Sequence, residues 1–354
     1  MDNIYNEKVI MIKKILVVSS KFPREYSGSG LRAYNTYKRL EKKYNIKWDV
    51  IANSISFQGN SLYKFKNKKV FRISSPIKKN YQNFLLKKSS IFFSIIWETI
   101  FTLIFLIKNG DKYKMLHTFG NSWSIGVSTL YFYFKKKSII RELVNSMKNP
   151  FYPKQMDFLI KKVFFKDKNL VVAISKELEI LSLKNKIRSI WQRPNPFDEK
   201  KFYIDYKNKY KLRKLYSKFS KTDVVLCYVA SLIDRKNHIF LLKVLKLLPT
   251  NFKLIISGPE NINNLNMYSK ISKEIKNLSL SSRIQFEKKF IDNIDEYMKL
   301  SDVYLIPSNK EGFGTSILEA QACGIPVVSF LLKNVNDNEI IDFQVFQNYK
   351  WRCR

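Results

Sequence analysis

Residues 301–330 read SDVYLIPSNKEGFGTSILEAQACGIPVVSF. Residues 303–306 are a short apolar run of the kind a buried parallel strand shows. Pro307 and Ser308 end it, and residues 310–314 form a glycine-containing turn. Residues 316–323 have the pattern of a helix, stopped by Gly324 and Pro326. Residues 326–330 begin another strand. The stretch therefore predicts one compact β-α-β unit, and with it a parallel α/β sheet.

The spacing carries chemistry. Glu311 lies on the loop after the strand, and Glu319 about one turn into the helix. Gly312 and Gly314 let the backbone approach a ligand closely. The N–H groups of Gly314, Thr315 and Ser316 have no acceptor inside the helix, and a helix N-terminus favours a phosphate in front of it. Two carboxylates beside such a site suit the vicinal hydroxyls of a sugar and a ribose. These residues together predict a site for a sugar attached to a nucleoside diphosphate.

The run of apolar strand, Pro-Ser, Glu311-Gly312-Phe313-Gly314, Leu318-Glu319-Ala320, Ala322, Gly324 and Pro326-Val327-Val328 resembles the donor-site signature of retaining glycosyltransferases of family 4, the "group 1" class. The resemblance extends from Ile15 to about Ile341. It implies an α/β fold of two doubly wound Rossmann-like domains facing across a cleft (GT-B).

Composition bounds the rest. A chain of 354 residues suits two domains, and 45% hydrophobic residues supply a core for each. Lys and Arg number 64 against 29 Asp and Glu, giving +35. The lysines are scattered along the chain and no nucleic-acid-binding motif accompanies them, so nucleic acid is not the expected partner. Codons rich in A and T would account for much of the basicity, and an anionic membrane surface or an anionic donor fits the remainder. Cys227, Cys323 and Cys353 have no C-x-x-C spacing and suit a reducing compartment. Two histidines make a histidine metal site unexpected. Residues 1–20 lack a signal-peptide pattern.

Along the chain, residues 15–19 predict the first strand, followed by a Gly28-Ser29-Gly30 turn and a helix. Further strands are expected at 48–52, 70–74 and 113–117, with His117 at the end of the last. Residues 91–107 are apolar with one charge, Glu98. A central charge costs a spanning helix about 2.5–3.5 kcal/mol, so a buried or interfacial helix is expected there. Residues 123–134 predict a helix, 138–142 a strand ending in Arg141 and Glu142, and 170–175 a strand whose Ser175 caps the next helix. Arg141 and Glu142 read equally as acceptor contacts or as a solvated loop pair. The proline-rich stretch at 190–202 sets a boundary: residues 1–192 form the acceptor-side domain, 193–222 a linker and hinge, and 223–354 the nucleotide-sugar domain. In the latter, strands are expected at 223–229 and 254–257, and His238 is expected at the surface.

The resemblance assigns roles. Glu311 and His117 would be catalytic. Gly28 and Gly30 would face the donor phosphates, and Gly258, Gly312, Phe313, Gly314 and Thr315 would offer backbone to the donor. Glu319 would hold the ribose. Lys236 would grip the diphosphate, with Arg235 compensating for Ser231, which stands where the family carries arginine. Lys288 replaces a family glycine near the base. After Phe330 the family's glycine-rich turn is not recognisable, and the last ~40–60 residues such a domain needs are expected to be missing. The implied activity is sugar transfer from a UDP- or GDP-linked donor to a saccharide or lipid-linked saccharide, without metal or other cofactor, at the inner face of the cytoplasmic membrane. The alternative is an inactive remnant that at most binds.

Overall fold

The computed structural model describes residues 14–23, 25, 28–54, 59–77, 83–143, 162–164, 168–260, 266–288, 291–309 and 314–330, together with the strand at 343–346. The chain divides between Pro194 and Asn195 into two compact units.

Unit 1 begins with β1 (Lys14–Ser19), α1 (Gly28–Tyr44), β2 (Lys47–Asn53), β3 (Ser61–Phe65) and β4 (Lys68–Ile73). It continues with α2 (Phe84–Asn109), β5 (Met115–Phe119), α3 (Trp123–Phe134), β6 (Ser138–Glu142), β7 (Leu170–Ala173), α4 (Lys176–Lys184) and β8 (Ile190–Gln192). The sheet order is β3-β4-β2-β1-β5-β6-β7-β8. Its pairs are parallel except β3 with β4, a hairpin turning through Lys66 and Asn67 at positive φ. β1 is buried from Ile15 onward because it lies in the sheet's interior, flanked by β2 and β5. Phe22, Tyr34, Tyr37 and Trp48 pack against one another on one side of it. Ser175 accepts from the Leu178 N–H at 3.4 Å and so caps α4.

The apolar run at 91–107 lies in α2, a helix longer than the run that signals it. Asn83 accepts from the Leu85 and Leu86 N–H groups and starts it. Its buried positions are Ser90, Ser94, Glu98, Thr102 and Leu106, one every four residues. Among the described residues it is the one helix long and apolar enough to cross a membrane.

Unit 2 contains α5 (Lys209–Tyr216), β9 (Val224–Val229), α6 (His238–Leu247), β10 (Phe252–Ser257), α7 (Met267–Asn277) and β11 (Ile284–Glu287). α8 (Ile294–Leu300), β12 (Val303–Ile306), α9 (Thr315–Ala322), β13 (Val327–Phe330) and β14 (Phe343–Phe346) complete it. The order is β11-β10-β9-β12-β13-β14, parallel except for β14. Residues 195–222, read from sequence as a linker, pack on this unit. Arg213 of α5 is buried, donating to the Leu300 carbonyl at 2.9 Å and pairing with Asp302 at 2.9 Å. Cys227 and Cys323 are fully buried in one core cluster, where burial pushes each thiol up to about 12.

Candidate functional site

Both sheets have a topological switch point, the place where strand order reverses and where open α/β sheets bind ligands beyond the strand ends. In unit 2 it lies between β9 and β12, which pair directly. The loops leaving these strands are tied together. The Asn309 N–H donates to the Arg235 carbonyl at 3.0 Å. The Tyr228 hydroxyl donates to the Lys236 carbonyl at 3.0 Å and lies 3.1 Å from the Ser308 hydroxyl. The Asn237 amide donates to Asn309 at 3.2 Å. Asn237 takes a left-handed conformation, φ 52°, to turn directly into α6. Arg235 and Lys236 are half-buried on this turn, and Ser231 sits at its start.

The second loop delivers the start of α9. Gly314 has φ 66°, which any side chain would strain. The Thr315 side chain is held by the Asn195 amide at 2.9 Å, which leaves its backbone N–H among the first-turn groups without an acceptor in the helix. Glu319 is half-buried. Burial first, and then the Asp295 carboxylate, push its carboxyl up to about 7. Glu311, Gly312 and Phe313 lie outside the described residues.

Gly258 and Lys288 have packing reasons of their own. A Cβ on Gly258 would stand 1.8 Å from the Ala230 carbonyl oxygen, so glycine lets the loops after β9 and β10 touch. Lys288, in the family's glycine position, pairs with Glu260 at 2.6 Å and lies over the Tyr268 ring. His238 is not at the surface as expected. It is 2% exposed against the Tyr228 ring, and burial first and the Lys236 charge second push it down to about 4. The helical pattern around it marks α6 but carries no sign that its first residue turns inward.

In unit 1 the switch point lies between β1 and β5. Gly28 and Gly30 belong to the first turn of α1, not to a loop before it. A Cβ on Gly30 would meet the Lys21 carbonyl at 2.5 Å, whereas Gly28 faces open space. His117 is not at the end of its strand: β5 runs two residues further, to Phe119, and His117 pairs in register with Val17 and Ile140. It is 6% exposed. Its Nδ1 is 2.9 Å from the Tyr37 hydroxyl and its Nε2 is 3.5 Å from Glu142. Arg141 and Glu142 are not a solvated pair either, since both are fully buried. Glu142 pairs with Arg32 at 3.0 Å and with Arg193. Burial raises the Glu142 carboxyl, but Arg32, His117 and Arg193 outweigh it and hold it down at about 2. His117 is shifted downward, by burial first, against the Glu142 hydrogen bond and charge. Sequence reasoning missed this cluster because each member reads alone as an ordinary strand or helix residue.

Two mainly parallel sheets, each with its strand order reversed at a switch point, define the class: an α/β protein of the GT-B type. Residues 213–346, within this second unit, match the family model for glycosyl transferases group 1. N-acetyl-alpha-D-glucosaminyl L-malate synthase of Bacillus anthracis is 39% identical over 75 residues, 21% of this chain and 18% of that protein. The O-antigen biosynthesis glycosyltransferase WclY of Escherichia coli is 40% identical over 55 residues, 16% of this chain and 15% of that one. The matches span less than a third of the length of these curated relatives. Among solved structures, Anabaena HepE in complex with UDP and glucose aligns over 90% of this chain and 80% of its own, with TM-score 0.65 and 15% identity. Sucrose-phosphate synthase from Thermosynechococcus elongatus aligns over 90% and 81%, with TM-score 0.67 and 14% identity. At such identities the likeness is one of fold.

Proposed function

We propose that this chain is a retaining family 4 glycosyltransferase that moves a sugar from a nucleotide-sugar donor to a hydroxyl of a lipid-linked saccharide in surface polysaccharide synthesis. It would work peripherally at the inner face of the cytoplasmic membrane. The observation that carries the reading is the binding of two loops to one another at the switch point of unit 2. One brings Arg235 and Lys236, the other the start of α9 and Glu319. A diphosphate there meets cations and helix N-terminal N–H groups, which stabilise the negative charge that develops as the bond from the anomeric carbon to phosphate breaks. The acceptor oxygen forms the new bond on the same face of the sugar, and its proton leaves toward the departing phosphate. Glu311 would hold the sugar hydroxyls and Glu319 the ribose. His117, enclosed between Tyr37 and Glu142, is read as a positioning residue and not as a contact. UDP is the favoured nucleotide, because HepE, which shares the fold, binds UDP together with glucose.

Incubating the purified chain and bacterial membranes with radiolabelled UDP- and GDP-sugars tests the reading. Transfer to lipid-extractable material is expected, and Glu311→Ala is expected to abolish it. Ser231, at the position where the family carries arginine, favours a second reading, a protein that binds the donor without turning it over. UDP binding with no turnover of any donor would select that reading.

A further inference from the structure

The segment that opens unit 2 holds α9 from outside at both ends. α9 has eight residues, and its N-cap is Gly314, which has no side chain to bond the first turn. A serine or aspartate there would occupy a first-turn N–H that an anion needs. The segment from Asn195 to Tyr206 fixes the helix without doing so. The Asn195 amide donates to the Thr315 hydroxyl oxygen at 2.9 Å. Beyond the far end, the Tyr206 hydroxyl donates to the Gly324 carbonyl at 3.2 Å. Between these points Phe197 and Phe202 pack on the core cluster that holds Ile317, Ala320 and Cys323. The segment is itself fixed: the Phe202 N–H donates to the Asp198 carbonyl at 2.9 Å, and the Lys299 ammonium to the Lys201 carbonyl at 2.6 Å. The two bonds differ in what they leave over. The Gly324 carbonyl has only lone pairs. The Thr315 oxygen accepts from Asn195, so its own proton is turned away from the amide, and among the described residues no acceptor for it is in place.

We propose that Asn195 is a positioning residue, which holds the Thr315 hydroxyl as a donor to the diphosphate beside the open N–H groups of the first turn of α9. The inference rests on the nucleotide-sugar reading above and adds a side-chain contact to it. A threonine in a helix divides between two rotamers, because its oxygen can turn back on a carbonyl of its own chain. The bond from Asn195 selects one of them. It also sets the sense of the bond. An amide nitrogen only donates, so the threonine proton stays available to the ligand. A carboxylate in its place would accept that proton and withdraw it. A hydrogen bond from a hydroxyl to a charged phosphate oxygen is among the stronger ones a side chain makes.

Titration calorimetry of the whole chain with UDP, GDP, inorganic pyrophosphate and uridine tests the inference. Thr315→Val keeps the shape and removes the hydroxyl. It should weaken binding of the diphosphate ligands about tenfold and leave uridine binding unaltered, and Thr315→Ser should retain wild-type affinity. Asn195→Ala should weaken the same ligands about fivefold. Because Asn195 acts through Thr315, Asn195→Ala with Thr315→Val should bind no more weakly than Thr315→Val alone, where independent action would give a loss of about fiftyfold. Tyr206→Phe, which releases the far end of the helix, should leave UDP affinity unaltered. Should Asn195→Ala melt too low to titrate, Asn195→Asp takes its place in the same cycle. It keeps the contact but accepts the threonine proton, so it should weaken UDP at least about tenfold, and most of that loss should vanish when Thr315→Val is already present. Additive losses in the cycle, or Thr315→Val binding UDP and pyrophosphate as the wild type does, overturn the inference and leave the nucleotide-sugar reading standing. A wild-type chain that binds neither UDP, GDP nor pyrophosphate overturns both.

Discussion

The two units repeat one plan and use it oppositely. Each reverses its strand order at a pair of adjacent parallel strands, β1 with β5 and β9 with β12. In unit 1 the side chains beside the switch are interior: Arg32, Tyr37, His117 and Glu142 close on one another and leave the carboxylate fully buried. In unit 2 the same position is bounded by half-buried polar loops that hold each other through backbone groups. Backbone ties fix a loop's path whatever its side chains do, whereas an ion cluster is made of the side chains themselves. One plan thus yields a closed interior in the first case and a candidate site in the second.

The contrast is broken most severely at Glu142. Glu142→Gln strands Arg32 and Arg193 beside a neutral group and is expected to cost about 3–5 kcal/mol of stability, read by urea denaturation. The loss should be pH-dependent. The wild-type carboxyl is held at about 2 against an ordinary 4.5, so its contribution is present above pH 4.5 and disappears as pH falls toward 2. The variant should show a flatter profile over that window. Lys236→Ala should act in the opposite sense, with little effect on stability but a loss of about 1.5–3 kcal/mol in UDP binding, measured by titration calorimetry. An equal loss of stability and binding would mean that unit 2's switch is as structural as unit 1's.

Gly258→Ala sharpens the comparison at the level of backbone. The added Cβ has a carbonyl oxygen in its way at 1.8 Å, so the loops after β9 and β10 must part, costing about 1–3 kcal/mol and weakening UDP binding by moving the Lys236 turn. The smallest effect on UDP affinity is expected from pH. Glu319 is raised to about 7, so the folded chain loses stability as pH rises from 4.5 to 7 and none beyond. A ribose whose hydroxyls donate to Glu319 favours the ionised form, so UDP affinity should rise between pH 6 and 8. Glu319→Gln should remove that rise.

The sheets were legible because interior parallel strands are continuous apolar runs: Val303–Ile306, Leu170–Ala173 and Val224–Val229 fall where the pattern puts them. The short edge strand Ile190–Gln192 and the hairpin strand Ser61–Phe65 carry too little apolar pattern to announce themselves. α2 was visible as apolar and helical, but periodicity does not say which face turns inward, and its serine stripe became meaningful only against Ser124. Burial of His117, Glu142 and His238 escaped for a related reason. A polar side chain is buried when partners from distant parts of the chain converge on it, and Arg32, Tyr37 and Arg193 are far from Glu142 in sequence. The loops after β9 and β12 were the converse, since glycine and proline positions mark backbone turns locally. Glu311 itself falls outside the described residues.

Cys227 and Cys323 offer a way of watching one half of the molecule alone. Both thiols belong to the core cluster of unit 2, at 0% and 1% exposure, and neither forms an appreciable thiolate at neutral pH. An alkylating reagent reaches them only when that core opens, so their modification rate clocks the breathing of the second unit while remaining blind to the first. With Cys353 replaced by serine, any ligand that slows the clock binds where unit 2 closes.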